Sequence, residues 1–159
     1  MTVGEHKELV DGLAAVPDRV VELIAGLDEE TLRRRPAEGE WSIKEVCGHL
    51  VEDARTWQER ISLMTTQTDP YLKRFDPVTG VREGGYQEAR NEKTLDEFRR
   101  VRRETVEMLS KLTPEGWGRT GRHWSEGPVT IAEACSIALD HAESHLEQLR
   151  ELRERRVRE

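Results

Sequence analysis

The stretch LDHAESHLEQL, Leu139 to Leu149, carries two histidines four residues apart. On a helix that step puts both imidazoles on one face, one turn from each other. Two imidazoles so placed can hold one divalent cation, as in helical zinc and di-iron sites. The apolar pattern around them runs through Ile131, Ala134, Cys135, Ala138, Ala142, Leu149 and Leu152 at three- and four-residue steps. It takes in His141 and His145, so the pair is expected to point into a helical bundle. Burying two imidazoles costs desolvation unless something rewards them. His49, in EVCGHLVEDA, is the third candidate. It flanks the apolar stripe of another helix, and the neighbouring Gly48 would let an adjacent helix approach. A facial set of His49, His141 and His145 would leave coordination positions open to water or substrate. Asp53 follows His49 by one turn on the same side. It could orient that histidine, join the ion, or act as a base.

Other chemistries find less support. In the zinc-protease pattern HExxH a glutamate directly follows the first histidine. Here Ala142 holds that place, and Glu143 lies about 200° around the helix from His141, on the expected surface. The chain has no Gly-rich phosphate loop, no GxSxG elbow and no CxxC pair. Cys47 and Cys135 fall within apolar patterns and read as reduced, buried thiols. His6 and His123 read as surface residues, His123 within a loop, GRTGRHWSEGP, that could edge a pocket. A net charge of −7 disfavours binding to a phosphate backbone. Near the C-terminus Arg150, Arg153, Arg155, Arg156 and Arg158 alternate with Glu151, Glu154 and Glu159. They read as a solvated helix end whose cations suit the macrodipole. No apolar run approaches the roughly 20 residues of a membrane span, and the first residues carry no signal-peptide core. A cytoplasmic protein without nucleic-acid or membrane partners is expected.

Four helices must position these residues within one domain over residues 1–159. The first runs from about Glu5 to Leu27, kinked or restarted at Pro17, and a short turn of helix, Asp28 to Arg34, follows. The second opens at WSIKE, where Ser42 caps and Glu45 completes a capping box. The third opens at TLDE with Thr94 and Glu97, the last at TIAE with Thr130 and Glu133. Helices two and three are separated by about 28 residues, Thr66 to Lys93, interrupted by prolines and glycines. The predicted fold class is all-α: a four-helix bundle with a long crossover that makes helices two and three parallel.

Three segments together carry a family resemblance: RPAEGEWSIKEVCGHLVEDARTWQERI, FRRVRRETVEMLSKLTPEGWGR and GPVTIAEACSIALDHAESHLEQL. With the blocks WSxxExxxHL and HxxxHLxQ[IL], the chain resembles the DinB-like (DinB/YfiT) superfamily from about Val10 to Leu152. The resemblance implies the same crossover bundle, often as a homodimer. It also implies a divalent metal, zinc or nickel, held by His49, His141 and His145. The activity it implies is a metal-dependent thiol transferase or isomerase, using mycothiol, bacillithiol or a similar low-molecular-weight thiol on a small electrophilic substrate. The alternatives are a hydrolase using water activated on the metal, and a metal-stabilised binding or stress-response protein without turnover. Gln148 matches the family's glutamine and reads either as an orienting or packing residue or as a surface amide. Arg60 reads as a salt-bridged helix residue, in preference to an anion anchor for an acidic thiol. Trp41 and Trp57 read as core.

Overall fold

The computed structural model describes residues 1–158, with side chains to Arg155. The expected cations Arg156 and Arg158, as side chains, and Glu159 lie outside the described residues. The long helices are α1 (Val3–Ile24), α3 (Ile43–Thr66), α5 (Asn91–Ser110) and α6 (Ile131–Arg158). A short α2 (Glu29–Arg33) joins the first two. The crossover holds β1 (Tyr71–Leu72) and α4 (Pro77–Gly84), and a hairpin of β2 (Thr120–His123) and β3 (Gly127–Thr130) leads into α6.

Side-chain pairs give the directions of the helices. Arg55 meets Glu97 and Gln58 meets Glu104, so α3 and α5 ascend together. Arg19 meets Glu143 and Arg153 reaches the Leu23 carbonyl, so α1 and α6 ascend together. Leu13 faces Arg102 and Asp18 faces Arg99, which makes α1 and α5 antiparallel. The result is a four-helix bundle with the expected parallel second and third long helices. Its core is apolar from both ends, with Val46, Leu50, Phe98 and Leu146 toward one and Ile61, Met64, Leu109 and Ile131 toward the other.

Two of the three expected capping boxes are present. Ser42 and Glu45 exchange bonds at the start of α3, as do Thr130 and Glu133 at the start of α6. The third is not. Helix α5 begins four residues earlier, at Asn91, with Arg90 in place of Thr94 as an N-cap that makes no side-chain bond. Thr94 is buried inside the first turns, and Glu97 instead receives Arg55 and Arg100. An unforeseen capping box, Thr2 with Glu5, starts α1. The Arg-rich end is also more than a solvated tail, because Arg153 donates to the Leu23 and Ala25 carbonyls and so holds the end of α1.

Helix α1 runs unbroken through Pro17, so the proline does not restart it. A proline in mid-helix strands the carbonyl four residues earlier, here that of Leu13. The buried Arg102 of α5 answers it, with Nη1 donating at 2.7 Å. Arg102→Met is therefore expected to cost about 2 kcal/mol, the worth of a charge-assisted hydrogen bond to a buried carbonyl. In a Pro17→Ala background, where the new residue supplies its own backbone N–H, the cost should shrink. Urea denaturation of the four proteins of that cycle measures the coupling.

Candidate metal centre

Helices α3 and α6 run antiparallel, so residues 49 and 53 on one face residues 145 and 141 on the other. The three histidines expected from the sequence come together here. Each offers one ligand nitrogen, all within 4.8 Å of one another, close enough for small ring rotations to set them on one cation. The ring of His49 is 4.5 Å from that of His145 and 5.9 Å from that of His141, centroid to centroid. Their setting differs from the expected one. The buried stripe of α6 passes through Ala142, Leu146 and Leu149, and the histidines lie one position to its side. His145 is half-buried and His141 is exposed at the mouth of a cleft.

The hydrogen bonds decide which nitrogens are free. Gln148 Oε1 lies 2.9 Å from His145 Nδ1. An amide oxygen only accepts, so Nδ1 carries the proton and Nε2 keeps its lone pair. That Nε2 is sealed from solvent without a partner among the described residues, and so is His49 Nδ1. Orphaned buried nitrogens of this kind cost about 1–3 kcal/mol each. They fit a site whose remaining member is a cation, and three imidazoles suit a divalent transition metal. Asp53 is buried beside His141, its Oδ1 3.5 Å from His141 Nδ1, and its charge also reaches His49. A carboxylate beside a histidine is a common support for a metal ligand.

Electrostatics act unequally on the three rings. Burial, reinforced by the neighbouring His145, lowers the pKa of His49 from 6.5 to about 4. Burial lowers His145 as well, whereas the neighbouring Asp53 carboxylate raises His141. The unfolded His49 takes its proton near pH 6.5 and the folded one near pH 4. Between these values the unfolded state binds more protons, so stability falls as pH falls. At pH 5 the metal-free protein should have lost on the order of 2 kcal/mol through this ring. Urea unfolding of wild type and His49→Ala at pH 7 and pH 5 checks this, and their difference separates His49 from the opposite trend of His141.

The cleft above the histidines holds about 760 Å³. Its floor is α3 and α6, one wall is Arg74, Phe75 and Pro77 of the crossover, and another is the hairpin turn with His123 and Trp124. Trp57 is core, as expected, yet also lines the cleft, and half-buried Trp41 stands over His49 at 5.0 Å. Arg60 makes no salt bridge among the described residues; its Nη2 donates to the Lys73 carbonyl at 2.8 Å. His123 is not a surface residue. It is 8% exposed, with its ring stacked on Trp57 at 5.9 Å, although it does edge a pocket. The alternation of β2, exposed Thr120 and Arg122 with buried Gly121 and His123, is the sequence signal that could have found it. Glu143 is exposed and bonded to Arg19, away from the cleft. Gly48 accommodates not a helix but the ring of Tyr86. Cys47 and Cys135 are free and buried, and burial pushes both thiols up to about 12. None of the described helices is long and apolar enough to cross a membrane.

Known proteins resemble this chain in sequence and fold. YfiT of Bacillus subtilis, described as a probable metal-dependent hydrolase with an unusual four-helix bundle topology, superposes with a TM-score of 0.89 at 18% identity, over 98% of this chain and 89% of its own. Two proteins of Oceanobacillus iheyensis, provisionally named metal-dependent hydrolases, are 22% and 21% identical, each over 94% of this chain and 86% of its own length. A third of that provisional name, from Bacillus mycoides, is 23% identical over 88% of this chain and 80% of its own. Residues 13–149 match the family model of the DinB superfamily, and the chain belongs to that superfamily.

Proposed function

We propose that this protein is a divalent-metal-dependent enzyme, with zinc or nickel held by His49, His141 and His145, that transfers a low-molecular-weight thiol to a small electrophile. The observation that carries the metal reading is the pair of sealed, unpartnered nitrogens, His145 Nε2 and His49 Nδ1, on facing helices. A cation bound there supplies Lewis-acid activation, lowering the pKa of a coordinated thiol or water. Gln148 holds His145 in one tautomer, and Asp53 sets the ring of His141. Trp41, Phe75 and Trp124 give the cleft flat apolar walls that exclude water from a bound substrate. In the transfer, a sulfur–carbon bond forms as the bond to the leaving group breaks, and the thiol proton leaves to water at the open mouth. The cleft's size, with room for a thiol and its acceptor together, favours this reading.

Hydrolysis is the second reading, favoured by the provisional names of the relatives. Asp53 serves it poorly as a free base, because the carboxylate is 3% exposed and engaged with His141. Cobalt-loaded protein separates the two. Thiol transfer requires a sulfur-to-cobalt absorption band that saturates with a cellular thiol. Absence of that band with every thiol, together with thiol-independent turnover of esters or amides, would establish hydrolysis instead.

A further inference from the structure

Arg60 is a buried cation whose charge the metal centre leaves unanswered. The residue is 5% exposed, and its guanidinium lies 4.6 Å from the centroid of the Trp57 ring. Beyond the bond from Nη2 to Lys73, its Nε has no partner. Asp53 and Glu59 act on it only through space, and none of the described carboxylates pairs with it. A guanidinium keeps its charge when buried, and a buried charge without a counter-charge is costly. Arg102, equally buried, has a structural purpose in answering the carbonyl that Pro17 strands. Arg60 differs because it lines the cleft.

His123 stands in the same wall. Its Nδ1 accepts from the backbone N–H groups of Ser125 at 3.3 Å and Glu126 at 3.2 Å. That fixes the tautomer, and the proton sits on Nε2, for which no protein acceptor exists among the described residues. Burial and the nearby Arg60 keep the ring neutral by lowering its pKa. A neutral imidazole donor and a guanidinium therefore share one aromatic wall, and Arg74 lies over Trp124 at 5.1 Å beside them.

We propose that Arg60 and His123 form an anion subsite in this wall, and that the substrate bound there is a carboxylate on a planar, apolar body. This rests on the cleft being the substrate site of the enzyme proposed above. The guanidinium fork matches a carboxylate in shape and charge. Trp124, which is 46% exposed, and Phe75 offer the flat surfaces for the body, while Trp57 backs the two polar groups. Asp53, Glu126 and Asp140 also line the cleft, and their charge disfavours a dianionic phosphate more than a single carboxylate.

Calorimetric titration of chelator-stripped protein at about pH 8, where imidazoles are neutral, tests this with benzoate against its neutral isostere benzamide. Benzoate should bind about tenfold more tightly or better. Arg60→Gln should remove the preference, with circular dichroism confirming the fold. His123→Asn, which keeps an acceptor for the Ser125 and Glu126 N–H groups while deleting the Nε2 donor, should weaken it. Equal binding of the two probes, no binding of benzoate, or a preference that survives in folded Arg60→Gln would overturn the subsite. The protein carries no cation in this titration, so failure here counts against the subsite alone. Loss of stoichiometric zinc in untreated wild type would count against the metal centre alone.

Discussion

Replacing His145 by alanine is expected to abolish stoichiometric binding of a divalent cation while leaving the metal-free protein nearly as stable as wild type. Both halves follow from the hydrogen bonds. Gln148 holds the proton on Nδ1, so the lone pair of Nε2 is free and sealed from water. Without a cation that nitrogen is a liability of about 1–3 kcal/mol, and deleting the ring removes it along with some packing. The two offset, and the metal-free melting point should move little. With a cation the balance reverses. Binding to the folded state alone adds about 4 kcal/mol when the free ion is a thousandfold above its Kd. Loss of a supporting residue outside the ligand set already weakens metal sites by about 10–100-fold. Loss of a ligand should exceed that and erase the stabilisation. Melting curves with and without zinc, beside metal content per chain, report both halves. Tight stoichiometric metal in His145→Ala would mean that another residue is the ligand.

Gly48→Ala is expected to destabilise the fold by about 3 kcal/mol, against the helix propensity of alanine, which alone favours it by about 1 kcal/mol. A Cβ on Gly48 would fall 2.2 Å from Tyr86 Cγ. The ring has little room to retreat. It packs as closely on Gly84, and its hydroxyl donates to Glu52 while accepting from Arg55 at 3.3 Å. The clash therefore costs either ring displacement with loss of that network or a shift of α3 at His49. Chemical denaturation measures the loss, and a double-mutant cycle with Tyr86→Ala locates it. The penalty of Gly48→Ala should nearly vanish when the ring is gone. A penalty unchanged in that background would place the strain elsewhere.

The site was legible where its signals are local. The four-residue step of His141 and His145 and the reciprocal caps Ser42–Glu45 and Thr130–Glu133 depend on a few neighbouring residues, and the structure keeps them. The length between Thr66 and Lys93 likewise forced a crossover, whatever its detail. What depends on packing was not legible. Thr94 and Glu97 have the form of a capping box, but α5 starts at Asn91 and Arg55 of another helix claims Glu97. His141 and His145 looked like core residues because three- and four-residue steps cannot separate adjacent helix positions. The true stripe runs through Ala142 and Leu146. Arg60 was expected to find a carboxylate, but its partner is a backbone carbonyl of the crossover. Asp53 was expected one turn from His49 from their spacing on one helix, and the antiparallel approach of α6 also brings His141 to within 3.5 Å of it.

X-ray absorption of the zinc-loaded protein tests the central claim most directly. Three imidazoles bound at about 2.0–2.1 Å, with their outer-ring scattering, are the expected result, and one of the three should disappear in His49→Ala. A shell of oxygens or sulfurs without imidazole scattering, or three imidazoles unchanged in that variant, would contradict it.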